Sequence, residues 1–226
     1  MSAAVAELSL IDPFRLCLAL GPVAIYLLLL GAINFSRRPF LVSGTRDAAV
    51  LGLAVSGLMI VGPLELFVPI HAVLRFGPYV WGFLILLYAM GLTLLLLFSR
   101  PRLVVYNVTT NELRPILAEV VARLDQEARW AGDSLLLPNL GAQLHLDSLR
   151  AMRNVSLVAT GPRQSHLGWR QLEVALRAAL GQCEVPRNPR SISLISAGLL
   201  LLVFLLLTIA QDPQAVAEAM FDMIRL

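Results

Sequence analysis

The chain has 226 residues, of which 58% are hydrophobic and only 15% charged. A soluble domain carries about 25% charge, so this composition excludes an ordinary soluble protein and points to membrane helices. The formal net charge is +3 and every one of the 18 basic residues is an arginine; so small an excess, spread along a membrane chain, gives no reason to expect nucleic acid as a partner.

The hydrophobicity is broken once. Three long apolar runs precede Arg100, a mixed, charge-bearing stretch follows, and a fourth apolar run closes it. An apolar run of about 18 or more residues is long enough to cross the ~30 Å hydrocarbon core as a helix. The expected fold class is therefore an α-helical membrane protein of four spans, with a small α+β two-layer sandwich inserted between spans 3 and 4. The spans are expected at about residues 14–35, 48–70, 78–98 and 188–211. The insert covers residues 101–187 and a tail helix residues 212–226. The front end, residues 1–12, carries no arginine and two acids, unlike a secretory signal peptide, so span 1 is expected to be retained.

Span 1 opens on Asp12-Pro13, a helix-start pair, and contains Gly21-Pro22, which should loosen it. Span 2 is rich in small residues. Gly52, Ser56 and Gly57 are its candidate packing positions, because small side chains let helices approach closely in lipid. Span 2 is thus expected to be the central packed helix, with span 4 a more lipid-exposed anchor. Glu65 is the one acid inside an apolar run, and an acid there is costly enough to need a partner or a purpose. His71 and Arg75 are the nearest candidates, so Glu65, His71 and Arg75 form either an ion pair closing the span 2–3 hairpin, the favoured reading, or a polar site.

Orientation follows from arginine placement. Arg37, Arg38 and Arg46 lie between spans 1 and 2. Arg100 and Arg102 flank the insert on one side, and Arg187 and Arg190 on the other. Basic loops stay cytoplasmic. The insert is therefore expected in the cytoplasm and both termini outside the plasma (inner) membrane. Arg37, Arg38, Arg100, Arg102, Arg187 and Arg190 are candidate contacts for anionic headgroups.

Within the insert the pattern reads β-α-β-β-β-α. Residues 103–108 are β-rich. Thr109 and Glu112 fit a capping box, although Pro115 argues for a start one or two residues later. Leu113, Ile116, Leu117, Val120, Val121 and Leu124 then mark one helix face. Residues 134–137 and 142–147 read as a hairpin with one wet face, and 154–160 as a further strand. A last helix spans about 165–180, with Gly181 as its C-cap. Two helices over a four-stranded, mainly antiparallel sheet is the expected sandwich. The tail opens on Asp212-Pro213 and reads as a short amphipathic helix.

No phosphate-binding glycine loop, dinucleotide fingerprint, zincin motif or nucleophile elbow is present in the sequence. His145 with Asp133 and Asp147 could meet around the hairpin, but scattered polar residues at strand ends are common. The two cysteines, Cys17 and Cys183, are far apart in the expected topology and lack metal spacing. No catalytic residue, metal or cofactor is implied. The expected partners are the bilayer and another membrane or cytoplasmic protein, with a homo-oligomer compatible. The function expected first is a non-catalytic accessory, assembly or signalling subunit that presents a protein-binding domain. The alternative is a small oligomeric transporter or membrane enzyme using Glu65, His71 and Arg75.

Overall fold

The computed structural model describes residues 13–64, 66, 75–77, 79–149, 152–162 and 164–225. In chain order the elements are α1 (Pro13–Phe35), β1 (Phe40–Ser43), α2 (Gly44–Met59, running into a π-helical turn at Ile60–Leu64), α3 (Tyr79–Phe98), β2 (Arg102–Tyr106), α4 (Thr110–Leu124), β3 (Arg129–Ala131), β4 (Ser134–Leu137), β5 (Ala142–Leu149), β6 (Asn154–Ala159), α5 (His166–Gly181), α6 (Arg190–Gln211) and α7 (Pro213–Arg225). They form two compact units. A helical unit takes the described parts of Met1–Leu29, Ala49–Leu97 and Leu194–Leu226; a sheet unit takes Leu30–Ala48 and Phe98–Ser193.

In the helical unit, α1, α2, α3 and α6 are each long and apolar enough to cross a membrane. Their bounds sit within a few residues of the apolar runs, except that α2 starts at Gly44, ahead of the run. At its far end Pro63 has no N–H to give the carbonyl of residue 59, and the helix widens there into the π turn. The rest of the expected span 2, beyond this turn, falls mostly outside the described residues. Large apolar side chains face outward, with Tyr79 82% and Leu97 74% exposed, as lipid-facing positions would be.

Close packing in this unit centres on glycines. A Cβ at Gly57 would overlap the backbone carbonyl of Leu18 on α1, and one at Gly52 would lie 2.7 Å from Leu92 on α3. The Tyr88 hydroxyl donates to the Gly52 carbonyl at 2.7 Å, fixing the same α2–α3 crossing. Gly198 of α6 meets α1 in the same way, where its Cβ would lie 2.9 Å from Leu28. So α6 also packs through a small residue, a position the sequence reading passed over.

The sheet unit is a two-layer α+β sandwich, and its sheet differs from the expected one. It has six strands, not four, all antiparallel, in the order β1-β2-β6-β5-β4-β3. The β-α-β-β-β-α order omitted β3, a three-residue edge strand, and β1, which lies in the loop between the first two long helices. Phe40, Leu41, Val42 and Ser43 pair with Tyr106, Val105, Val104 and Leu103. Leu41 thereby joins the core, only 6% exposed.

Alternation builds that core. Leu103 and Val105 of β2, Val155 and Leu157 of β6, Leu144 and Leu146 of β5, and Leu135 and Leu137 of β4 all point inward. They meet Leu113, Leu117 and Val121 of α4 and Leu172, Leu176 and Leu180 of α5, the apolar faces read from helical periodicity. The first helix starts at Thr110 despite Pro115. Glu112 reaches back to the Thr109 backbone N–H at 2.8 Å, and the carbonyl that Pro115 leaves without its helical donor belongs to Asn111, an exposed residue. Gly181 is the last helical residue of α5, and Gln182 in right-handed geometry is the cap instead, so no left-handed glycine is needed.

Asp125, 1% exposed, caps α4 and organises the next turn. Its carboxylate accepts from the backbone N–H groups of Glu127, Asn139 and Leu140 and from the Asn139 amide, at 2.8 to 3.3 Å. At Gly168 a Cβ would overlap the Leu140 carbonyl, so only glycine lets α5 seat on the β4–β5 turn.

The helix crossing at Gly57 gives a direct test. Helix propensity favours Gly57→Ala by up to ~1 kcal/mol, but overpacking costs about 1–3 kcal/mol, and here the clash is with backbone. Gly57→Ala should lower the thermal stability of the detergent-solubilised protein. Gly82→Ala, where the space is open, should leave it unchanged or raised. Equal behaviour of the two variants would contradict this packing.

Candidate functional site

Of the proposed polar site, Glu65 and His71 lie outside the described residues. Arg75 is described, and its guanidinium stacks over the Phe76 ring at 5.6 Å. Of the packing trio, Gly52 and Gly57 sit at the crossings above, whereas Ser56 is turned to its own helix and donates to the Leu53 carbonyl at 2.8 Å.

The candidate headgroup arginines separate into two places within the sheet unit. Residues 34–38 run beside 185–190: the Val185 N–H donates to the Arg37 carbonyl at 2.8 Å, and the Asn188 N–H to the Asn34 carbonyl at 3.4 Å. The Arg187 guanidinium covers the Phe35 ring at 4.6 Å. Arg37, Arg38, Arg187 and Arg190 thus belong to two strands of chain brought side by side from opposite ends of the sequence. The Arg38 N–H is held by the Ser36 hydroxyl, and the Arg190 N–H by the Asn188 side chain. Buried Asn107, at φ 61°, donates to the Ser36 carbonyl and ties this junction to the end of β2.

Arg100 and Arg102 stand at the start of β2. Arg100 is exposed. Arg102 turns back to Asp47 in the first turn of α2, at 3.5 Å, and Asp47 also accepts from the Tyr106 hydroxyl. Arg102 therefore serves the β1–α2 junction, a role its position next to an apolar run did not suggest.

The polar trio around the hairpin does not assemble. His145 pairs with the Ser134 hydroxyl at 3.0 Å, while Asp133 pairs with Arg114 at 3.6 Å. Arg114 also covers the Trp130 ring at 5.2 Å. Among the described residues no group of three His, Cys, Asp or Glu side chains could hold a metal ion.

Two clefts of nearly equal size are found among the described residues of the sheet unit. One, about 540 Å³, lies over the start of α4 and is lined by Thr109, Asn111, Arg114, Asp133, Arg153 and Asn154 among others. Its charges are matched internally: Arg153 bonds both oxygens of Glu112, at 3.0 and 2.9 Å, and Arg114 faces Asp133. The other, about 550 Å³, lies between the β1–α2 corner and α5. Ser43, Thr45, Arg46, Pro101 and Arg102 line one side, and His166, Trp169, Arg170, Glu173, Val174 and Arg177 the other. The buried Trp169 ring is fixed by its N–H, which donates to Gln164 Oε1 at 2.8 Å. Glu173 is taken up by Arg177 at 2.7 Å. The spacing of His166, Arg170, Glu173 and Arg177 along one helical face was visible in the sequence; the strand segment opposite was not.

Glu112 gives a pH prediction. Burial resists its ionisation, but the hydrogen bonds from Thr109 and the bonds and charge of Arg153 outweigh this and hold its carboxyl below the ordinary value. A lowered folded-state pKa stabilises above the unfolded pKa and is lost as pH falls through the folded one. Glu112→Gln should therefore destabilise the fold at pH 7 by on the order of 1 kcal/mol, the size of a partly exposed charge-assisted hydrogen bond after solvent screening, read as a lower unfolding temperature. The gap from the parent should close below about pH 4. A gap that persists unchanged at pH 3.5 would contradict it. No family model, no curated protein and no solved structure matches the chain.

Proposed function

We propose that the chain is an integral membrane protein whose sheet unit serves as a cytoplasmic accessory or assembly domain for a protein partner. The observation that carries this reading is the composite sheet. Its first strand comes from between α1 and α2, and its other five from between α3 and α6. Four chain junctions thus join this domain to apolar helices, which restrains it far more than a flexible tail would be. A domain held in this way suits presentation of a fixed surface. On its exposed side α5 carries Leu167, 74% exposed, and Val174, 64% exposed, seven residues apart and so on one face. Exposed large apolar side chains on a single face are the sort of surface a partner covers.

The shared sheet also bears on topology. If α2 and α3 each cross the membrane, they return the chain to the side it left, which agrees with two hydrophilic segments folding together. The arginines at the junctions favour the cytoplasm for that side.

The test uses single cysteines in a chain freed of Cys17 and Cys183. Arg38→Cys and Gln126→Cys should resist a membrane-impermeant maleimide in intact cells and react after permeabilisation. Gln214→Cys should react in intact cells. Different sidedness for the positions at 38 and 126 would contradict the reading, as would protection at 214. A photoreactive residue at 167 should give one discrete protein adduct in cells; adducts to lipid alone would count against a protein partner.

A further inference from the structure

The geometry points to the cleft between the β1–α2 corner and α5 as a binding site for a phosphate group. Charge decides between the two clefts. Around the α4 start every arginine has its carboxylate. In the other, Arg46, Arg102, Arg170 and Arg177 face one space. Glu173 answers Arg177, and Asp47 answers Arg102. Among the described residues neither Arg46 nor Arg170 has a partner for its side chain, so two guanidinium groups remain uncompensated beside a half-open space. Like charges on opposite walls repel each other unless an anion lies between them.

A second feature points the same way. The first turns of two 16-residue helices border the cleft: Thr45 and Arg46 from α2, His166 and Trp169 from α5. The positive end of the backbone dipole favours an anion at a helix N-terminus, and the two come here from different parts of the chain; in α5 the Ser165 hydroxyl already accepts from the Gly168 N–H, so the arginines carry the recognition. Arginine supplies a planar fork that matches phosphate oxygens two at a time. Thr45 and Ser43 add hydroxyl donors, while Trp169 and Val174 provide an apolar wall for whatever the phosphate is attached to. A volume of about 550 Å³ suits a small organic phosphate. The ligand class is a phosphate monoester or diphosphate, carried either by a soluble compound or by a lipid headgroup. The site does not depend on the partner-binding reading above.

The experiment uses the full chain reconstituted in nanodiscs of phosphatidylcholine, with pyrophosphate as the soluble probe, read by calorimetry. Parallel nanodiscs contain phosphatidic acid, and its retention is read by native mass spectrometry. The variant is Arg46→Gln with Arg170→Gln; both side chains are exposed and unpartnered, so the fold is not at stake. The control is Arg123→Gln, an exposed arginine of α4 outside the cleft. Saturable pyrophosphate binding, weakened at least tenfold by the double variant and not by the control, supports a soluble phosphate ligand. Retention of phosphatidic acid with the same variant pattern, without pyrophosphate binding, supports a lipid headgroup. Binding of neither probe overturns the site, and so does an equal loss in the Arg123→Gln control.

Discussion

The pairing of β1 with β2 draws the segment between the first two long helices into the sheet unit. Four residues between two long apolar helices, Phe40–Ser43, add the sixth strand and bury Leu41 in the core. Pairing alone is a weak tie at this length, since short strands need packing to persist. Here the tie is reinforced on both sides. Asp47 just after the strand receives the Tyr106 hydroxyl and faces Arg102, while Asn107 just after β2 holds the Ser36 carbonyl just before β1. The same few residues hold one wall of the arginine cleft, so its geometry is inherited from this junction.

Two sets of polar groups in the sheet unit contrast in whether the fold satisfies them. Asp125 is buried but receives four N–H bonds, and Gln164 bonds Trp169, Gln143 and Thr160. Such groups are held because leaving them unpaired costs about 1–3 kcal/mol each, and their role is to fix turns and helix ends. Arg46 and Arg170 form the other set. They are exposed, cost the fold little, and are left with charge to offer. That difference, more than the number of arginines, singles out one cleft over another of equal size.

Much of this architecture could be read from the chain. Long apolar runs carry their own signal, so α1, α3 and α6 were locatable to within about two residues. The helices α4 and α5 followed from the 3.6-residue spacing of Leu113, Leu117 and Val121 and of Leu172 and Leu176. The β4–β5 hairpin followed from the alternation of Leu144 and Leu146. What escaped is short or nonlocal. β1 and β3 have four and three residues, too few for a period to emerge, and β1 sits in a segment that reads as a basic loop. The cleft escaped for the same reason: the arginines of α5 look like a solvated helix face until the β1–α2 corner is set against them. Arg102 shows what sequence position leaves out: its place beside an apolar run does not reveal that its side chain turns to Asp47.

The central claim is that the segment before α2 belongs to the sheet. Val42 and Val104 are register partners, and paired antiparallel residues have Cα atoms about 4.5–5.5 Å apart, within reach of a disulfide. In a chain freed of its own cysteines, Val42→Cys with Val104→Cys should cross-link on mild oxidation in native membranes. Val42→Cys with Leu136→Cys, four strands across the sheet and roughly 19 Å away, should not. Cross-linking of the second pair as readily as the first, or of neither, would contradict the account.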